Sequence, residues 1–180
     1  MRFVTACLSL ILFVCAACNS KKTLFTKLEA SATGIEFNNE LKESDSLNVL
    51  DISNIYNGGG VGIGDFNGDS LADIYFTGNK VSNELYLNKG ALHFEDITSV
   101  AGVEGEGKWS RGVSVVDINN DGKSDIYISA TLGTDTTLRK NILYINQGND
   151  EKGVPHFKNL AAEYGLADTS FSTMANFFDY

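Results

Sequence analysis

Proline is nearly absent, one residue in 180 against 18 glycines, so the chain has few rigid loops and many places for tight turns. That balance suits all-β structure. Positive charge is also scarce: 14 Lys and Arg face 23 Asp and Glu, for a net charge of −9. Phosphate recognition needs a basic face, so no nucleic-acid partner is expected and cations are the more natural company. All three cysteines, Cys7, Cys15 and Cys18, fall at the amino terminus, which leaves the rest of the chain without a disulfide. No Ser–His–Asp or Cys–His arrangement stands out, and no catalytic or cofactor-binding residue is assigned. A binding protein rather than an enzyme is expected.

The first residues read as a targeting segment. Arg2 precedes "FVTACLSLILFVCAAC", an apolar run too short for a confident membrane span and ending in small residues, as a secretory signal does. Its end, "VCAAC", resembles a bacterial lipobox, which makes Cys18 the lipidation site. Cys15 stands where that motif usually has Leu, so cleavage without lipid is the alternative. Residues 1–18 are therefore a lipoprotein-type signal, and the mature chain is exported to the cell envelope. It is expected as an outer-membrane lipoprotein facing the periplasm or the cell surface, touching membrane through the lipid alone. Without disulfides, an exported domain needs another staple.

Repetition organises the rest. "DFNGDSLAD" from Asp65 recurs as "DINNDGKSD" from Asp117, 52 residues on. "NELYLNKG" (Asn83 to Gly90) answers to "NILYINQG" (Asn141 to Gly148), and "HFEDITSVAGV" to "HFKNLAAEYGL". Extra residues in the second unit fit insertions at 131–140 and 149–155. Each unit reads as four short strands with a period-two or β-branched pattern, the arrangement of a propeller blade. The fold class is thus all-β, an incomplete β-propeller of two four-stranded blades plus the first strand of a third. Boundaries fall at 19–55 for a tether and amino-terminal strand region, 56–107 for repeat 1, 108–170 for repeat 2 and 171–180 for the start of repeat 3. "LFTKLEASATGI" (Leu24 to Ile35) echoes the fourth-strand pattern, so residues 24–28 are expected to be extended but to lack their native partner in this chain.

The acidic loops carry the chemistry. Calcium takes six to eight hard oxygen ligands, and alternating carboxylates and amides wrap such oxygens around one point. The ligands of loop 1 are then Asp65, Asn67, Asp69, the Leu71 carbonyl and Asp73; those of loop 2 are Asp117, Asn119, Asp121, the Lys123 carbonyl and Asp125. Asp179 is expected to open a third loop in a longer propeller. Asp, Asn and Gly also form ordinary turns, but three carboxylates crowded into one turn repel without a cation. An EF-hand is excluded, because Phe76 and Ile128 occupy the twelfth position where it needs Glu.

A strand, a D-x-[DN]-x-D-G-x-x-D loop and a strand beginning "DIY" resemble the FG-GAP repeat, also called the VCBS repeat, of integrin α-subunit propellers. "NGGGVGIGDFNGD", "LYLNKG" and "HFEDITSVAGV" resemble more narrowly the bacterial envelope proteins with ASPIC/UnbV segments, relatives of the cartilage acidic protein. The resemblance implies a calcium-bearing propeller of about seven blades, with a role in adhesion or ligand binding. Its ligand is unknown, a glycan or a protein at the cell surface. The alternative is a calcium-dependent polysaccharide lyase or hydrolase on the same propeller, which would need a base of perturbed pKa beside a cationic cluster. His93 and His156 are explained by the repeat, Trp109 by core or blade rim, and "GVEGEGKW" fails as a phosphate loop because Trp109 replaces the metal-binding hydroxyl.

Overall fold

The computed structural model describes residues 23–105, 107–132 and 135–179; the signal segment and Cys18 lie outside the described residues. Strands β1 (Val61–Gly64), β2 (Asp73–Phe76), β3 (Glu84–Asn88) and β4 (Phe94–Asp96) form one antiparallel sheet in sequence order. Strands β5 (Trp109–Val116), β6 (Asp125–Thr131), β7 (Ile142–Asn149) and β8 (Pro155–Asn159) form a second of the same order. These are the two blades expected from the repeat, in a propeller-like arrangement with no closed ring among the described residues. Because each strand reverses direction, both acidic loops emerge at one end of the blades. The connections β2–β3, β4–β5 and β6–β7 gather at the other.

Three single-turn helices interrupt the strands: α1 (Ala30–Thr33), α2 (Thr98–Ala101) and α3 (Thr136–Arg139). The first two end alike, with Gly34 and Gly102 in the left-handed region, φ 79° and 74°, and their N–H groups bonded to the Ala30 and Thr98 carbonyls. The echo between the amino-terminal stretch and the fourth-strand region therefore extends to a shared helix cap. Residues 24–28 have no ladder partner among the described residues, in line with expectation, but Leu24 and Phe25 form a bend rather than extended chain. The insertions in the second unit fold as α3 and as the β7–β8 turn, where Asp150 N–H bonds the Val154 carbonyl at 2.9 Å.

The blades pack through alternate faces of their inner strands. Gly62 and Gly64 turn toward the second blade and leave room for Val113 and Val115; a Cβ on Gly64 would sit 2.8 Å from Val115 Cγ1. Behind them Phe66, Tyr75, Leu85 and Leu87 of the first blade meet Val113, Ile126, Ile128 and Ile142 of the second in one buried cluster. Tyr75 donates its hydroxyl to the Val103 carbonyl at 2.7 Å, and its counterpart Tyr127 donates to the Leu166 carbonyl at 3.1 Å. The repeat thus preserves contacts as well as strands.

On its far flank the second blade is covered by Ala161, Leu166, Ala175 and Phe177, with the Phe177 ring edge-on to Tyr127 at 5.3 Å. The segment 171–179 runs alongside β5, where Gly112 donates to the Thr173 carbonyl at 2.9 Å and Ser114 Oγ to the Ala175 carbonyl at 2.5 Å. It occupies the place of a third blade's first strand but is not a regular strand, because these isolated bonds do not amount to a ladder. On the first blade's outer flank Val61 and Ile63 remain 55% and 64% exposed.

Close approach of the inner strands predicts an asymmetry within β1. Gly62→Leu, whose side chain would enter the inter-blade contact, should cost roughly 1–3 kcal/mol in urea unfolding. Val61→Ser, on the exposed flank, should stay within about 0.5 kcal/mol. Equal effects at the two positions would refute this packing.

Candidate metal centre

Each acidic loop is organised by its first aspartate. Asp65 accepts backbone N–H groups from Gly68 at 2.7 Å, Asp69 at 3.2 Å and Ser70 at 2.8 Å, which folds the chain around its carboxylate. Asp117 does the same with Asp121 at 3.0 Å and Gly122 at 2.8 Å. The third and fifth residues join this frame: Asn67 Nδ2 donates to Asp69 Oδ2 at 3.0 Å, and Asn119 Nδ2 to Asp121 Oδ2 at 3.1 Å. Such a tight wrap requires left-handed backbone at the fourth and sixth positions. These are Gly68 and Ser70, φ 78° and 68°, in loop 1, and Asn120 and Gly122, φ 58° and 85°, in loop 2. Each loop has glycine at one of the two and a small polar residue at the other.

The ninth residues, Asp73 and Asp125, are fully buried. Asp73 accepts the Phe66 N–H at 2.9 Å and the Asn88 N–H at 2.8 Å. Asp125 accepts Ile118 at 3.1 Å and Asn146 at 2.8 Å. Each carboxylate therefore ties the start of its loop to the third strand of its blade. Burial pushes both carboxyls above the ordinary aspartate value, against the lowering effect of these hydrogen bonds. The first and fifth aspartates of the same loop add a smaller upward push, which places all three carboxyls of each loop within one another's field. Loop 2 contains its own cation: Lys123 Nζ lies 3.0 Å from Asp121 Oδ2, and together with the Lys123 backbone N–H it holds Asp121 below the ordinary range. Loop 1 has Leu71 at that position.

The structure brings together Asp65, Asn67 and Asp69, and likewise Asp117, Asn119 and Asp121, with Asp73 and Asp125 anchored at the loop ends. Among the described residues no three Asp, Glu, His or Cys side chains converge into a metal-sized cluster on their own. The donor chemistry nonetheless suits a hard cation, because every ligating candidate is oxygen and an amide and a carbonyl complement the carboxylates. Asp179 is exposed and lines a cleft with Asp117, Ile118, Asn120, Phe177 and Phe178 beside loop 2.

Two residues without an assigned role join the loops to each other. Asn146, 1% exposed, donates Nδ2 to the Phe66 carbonyl of the first blade at 2.8 Å, while its N–H holds Asp125. Asn149 Nδ2 reaches the Asn67 carbonyl at 2.7 Å. The equivalent Asn88 makes the same contacts within its own blade, with its N–H on Asp73 and Nδ2 on the Ala72 carbonyl at 3.0 Å. A cavity of about 340 Å³ between the loops, lined by Asp65, Asn67, Gly122 and Lys123 among others, is spanned by these amides. The signal was present in the sequence as the second Asn of "NELYLNKG" and "NILYINQG".

Residues 65–128 match the model of the FG-GAP-like repeat. The match begins at Asp65 of loop 1 and ends within β6, so it contains both acidic loops. Cartilage acidic protein 1 of Xenopus tropicalis is 39% identical over 74 residues, 41% of this chain and 11% of that protein. The Homo sapiens protein of the same name is 39% identical over 72 residues, 39% of this chain, and the Mus musculus protein 38% over 69 residues, 38% of this chain. The matched segment spans 11% of the length of each of these relatives.

The inter-blade amide gives a direct test. Asn146→Ala removes the buried Nδ2 donor to the Phe66 and Ser124 carbonyls while keeping the backbone N–H that Asp125 accepts, and should cost roughly 1–3 kcal/mol. Amide exchange should accelerate at Phe66–Ser70 of the first blade, although the substitution lies in the second. Exchange faster only within the second blade would show that the loops are not joined.

Proposed function

We propose that the protein is an exported, calcium-binding β-propeller module that binds a ligand, a glycan or a protein, at the cell envelope rather than transforming one. The observation that carries this reading is the recurrence of one hydrogen-bonded acidic loop at equivalent places in two blades. The FG-GAP-like match and the relatives named cartilage acidic protein support it.

Asp65, Asn67, Asp69, the Leu71 carbonyl and Asp73 would hold one ion; Asp117, Asn119, Asp121, the Lys123 carbonyl and Asp125 the other. Bound calcium supplies positive charge where three carboxylates otherwise repel. The chain's own residues do the rest. Asp65 and Asp117 fix the loop turns, Asp73 and Asp125 pin them to the third strands, and Asn146 joins one loop to the next blade. Loops fixed in this way hold the blade edges in register, and the opposite ends of the strands are free to present a ligand surface. Calcium acts as the staple that disulfides would supply in other exported domains.

Ligation to the folded state alone contributes roughly 2.7 kcal/mol per site at a hundredfold excess of calcium over Kd. Chelation should therefore lower Tm by about 5 °C or more in a scanning calorimeter. Asp121→Ala should reduce the calcium stoichiometry measured by titration calorimetry from two ions to one. An unchanged Tm after metal removal has been verified by elemental analysis, or an unchanged stoichiometry in the variant, would overturn the assignment.

A further inference from the structure

At the end of the blades away from the acidic loops lies a cavity of about 520 Å³. Its wall is largely apolar: Leu47 and Ile52 come from the amino-terminal region, Trp109 from the start of β5, Leu132 and Leu138 from the β6–β7 connection, and Phe171 from beyond β8. The volume falls within the usual range for a small-molecule site. Trp109 is 2% exposed, and its indole N–H, a donor that normally finds a partner when buried, has none among the described residues.

Lys80 is the one charged side chain among the described residues that line the cavity. Lys108, Arg139 and Lys140 belong to the same connections, together with Glu104 and Asp135. Arg139 lies over the Phe171 ring, 4.6 Å from its centre, and Lys108 Nζ donates to the Thr137 carbonyl at 2.8 Å. Burial and, after it, the neighbouring Lys140 hold the Lys108 ammonium below its ordinary value, against a smaller opposite pull from Asp135. Asp135 also caps α3, where it accepts from the Thr137 N–H at 2.8 Å and the Thr137 hydroxyl at 2.7 Å.

We infer that this cavity binds a small amphipathic carboxylate, its aromatic or alkyl body against Trp109, Leu138 and Phe171 and its acid group at Lys80. The inference rests on the reading of the protein as a binding module and names the ligand chemistry for it. Apolar contact supplies the area, and a charge-assisted contact to Lys80 supplies selectivity.

Trp109 is the single tryptophan of the chain, so indole fluorescence reports this cavity directly. Phenylbutyrate and its uncharged counterpart phenylbutanol, neither of which absorbs where indole is selectively excited, are titrated into the full 180-residue chain. A saturable change with the acid, at an affinity about tenfold above the alcohol, is expected from one charge-assisted contact. Lys80→Gln should abolish that preference while leaving alcohol binding intact, and Leu138→Asp should weaken both ligands with far-ultraviolet dichroism unchanged. Equal affinity for acid and alcohol, no saturable response to either, or a preference that survives Lys80→Gln would overturn the proposal. The titrations are run with calcium and with chelator. Anion-selective binding in either condition supports the cavity, whereas failure of the calcium reading appears separately, as a Tm indifferent to metal removal.

Discussion

A buried carboxylate at the end of each acidic loop is the constraint on which the blades depend. Asp73 and Asp125 have no exposed surface, and each spends both oxygens on backbone N–H groups from two different elements. A hydrogen bond to a charged group is worth about 1.5–3 kcal/mol, more than the neutral bonds of a short strand ladder. With strands of three to five residues in the first blade, few ladder bonds are available, and the loop-to-strand tie does what longer strands do elsewhere. Through Asn88 and Asn146 the same carboxylates hold equivalent points of β3 and β7. Through the Asn146 amide, the second blade's tie also reaches the first blade's loop.

Much of this was legible in the sequence because the repeat writes each feature twice. Strand order, the two blades and the acidic loops follow from matching Asp65 to Asp117, and the paired contacts of Tyr75 and Tyr127 follow the same register. What single residues do between blades was not legible. Asn146 and Asn88 occupy identical places in the repeat, yet only Asn146 has a preceding blade among the described residues to bond, and no local pattern distinguishes them. The stretch at 24–28 forms no strand for the related reason that a strand is made by its partner, here one expected from the sequence to be missing. Residues with the right alternation form no ladder where no neighbouring strand is present. The cavity was equally hidden, since its wall draws on segments as distant as Leu47 and Phe171.

The loops also show how sequence variation leaves a backbone unchanged. Glycine sits at the fourth position of loop 1 and the sixth of loop 2, which read from sequence alone looks like a difference between a poorer and a better site. In the structure both positions of both loops are left-handed, and Ser70 and Asn120 adopt the conformation that Gly122 and Gly68 adopt freely. A non-glycine residue there costs about 1–2 kcal/mol, so each loop carries one such strain and neither is the more relaxed. The backbone argument for ranking the loops therefore cancels.

Electrostatics separates them instead. Loop 2 has Lys123 paired with Asp121, so part of its negative charge is neutralised by the chain itself. Loop 1 has Leu71 at that place and no cation of its own, and the like-charge repulsion among Asp65, Asp69 and Asp73 is met only by N–H groups and by whatever cation the solution supplies. A site whose repulsion is unrelieved gains more from a divalent ion than one already part-neutralised, provided the frame is the same, and here the frame is the same. Under the proposed calcium reading loop 1 would depend on the ion more than loop 2, and it is also the loop that Asn146 and Asn149 hold from the second blade. The inter-blade amides fall where the charge is hardest to hold, so that the blade contact supports the loop with the less internal compensation.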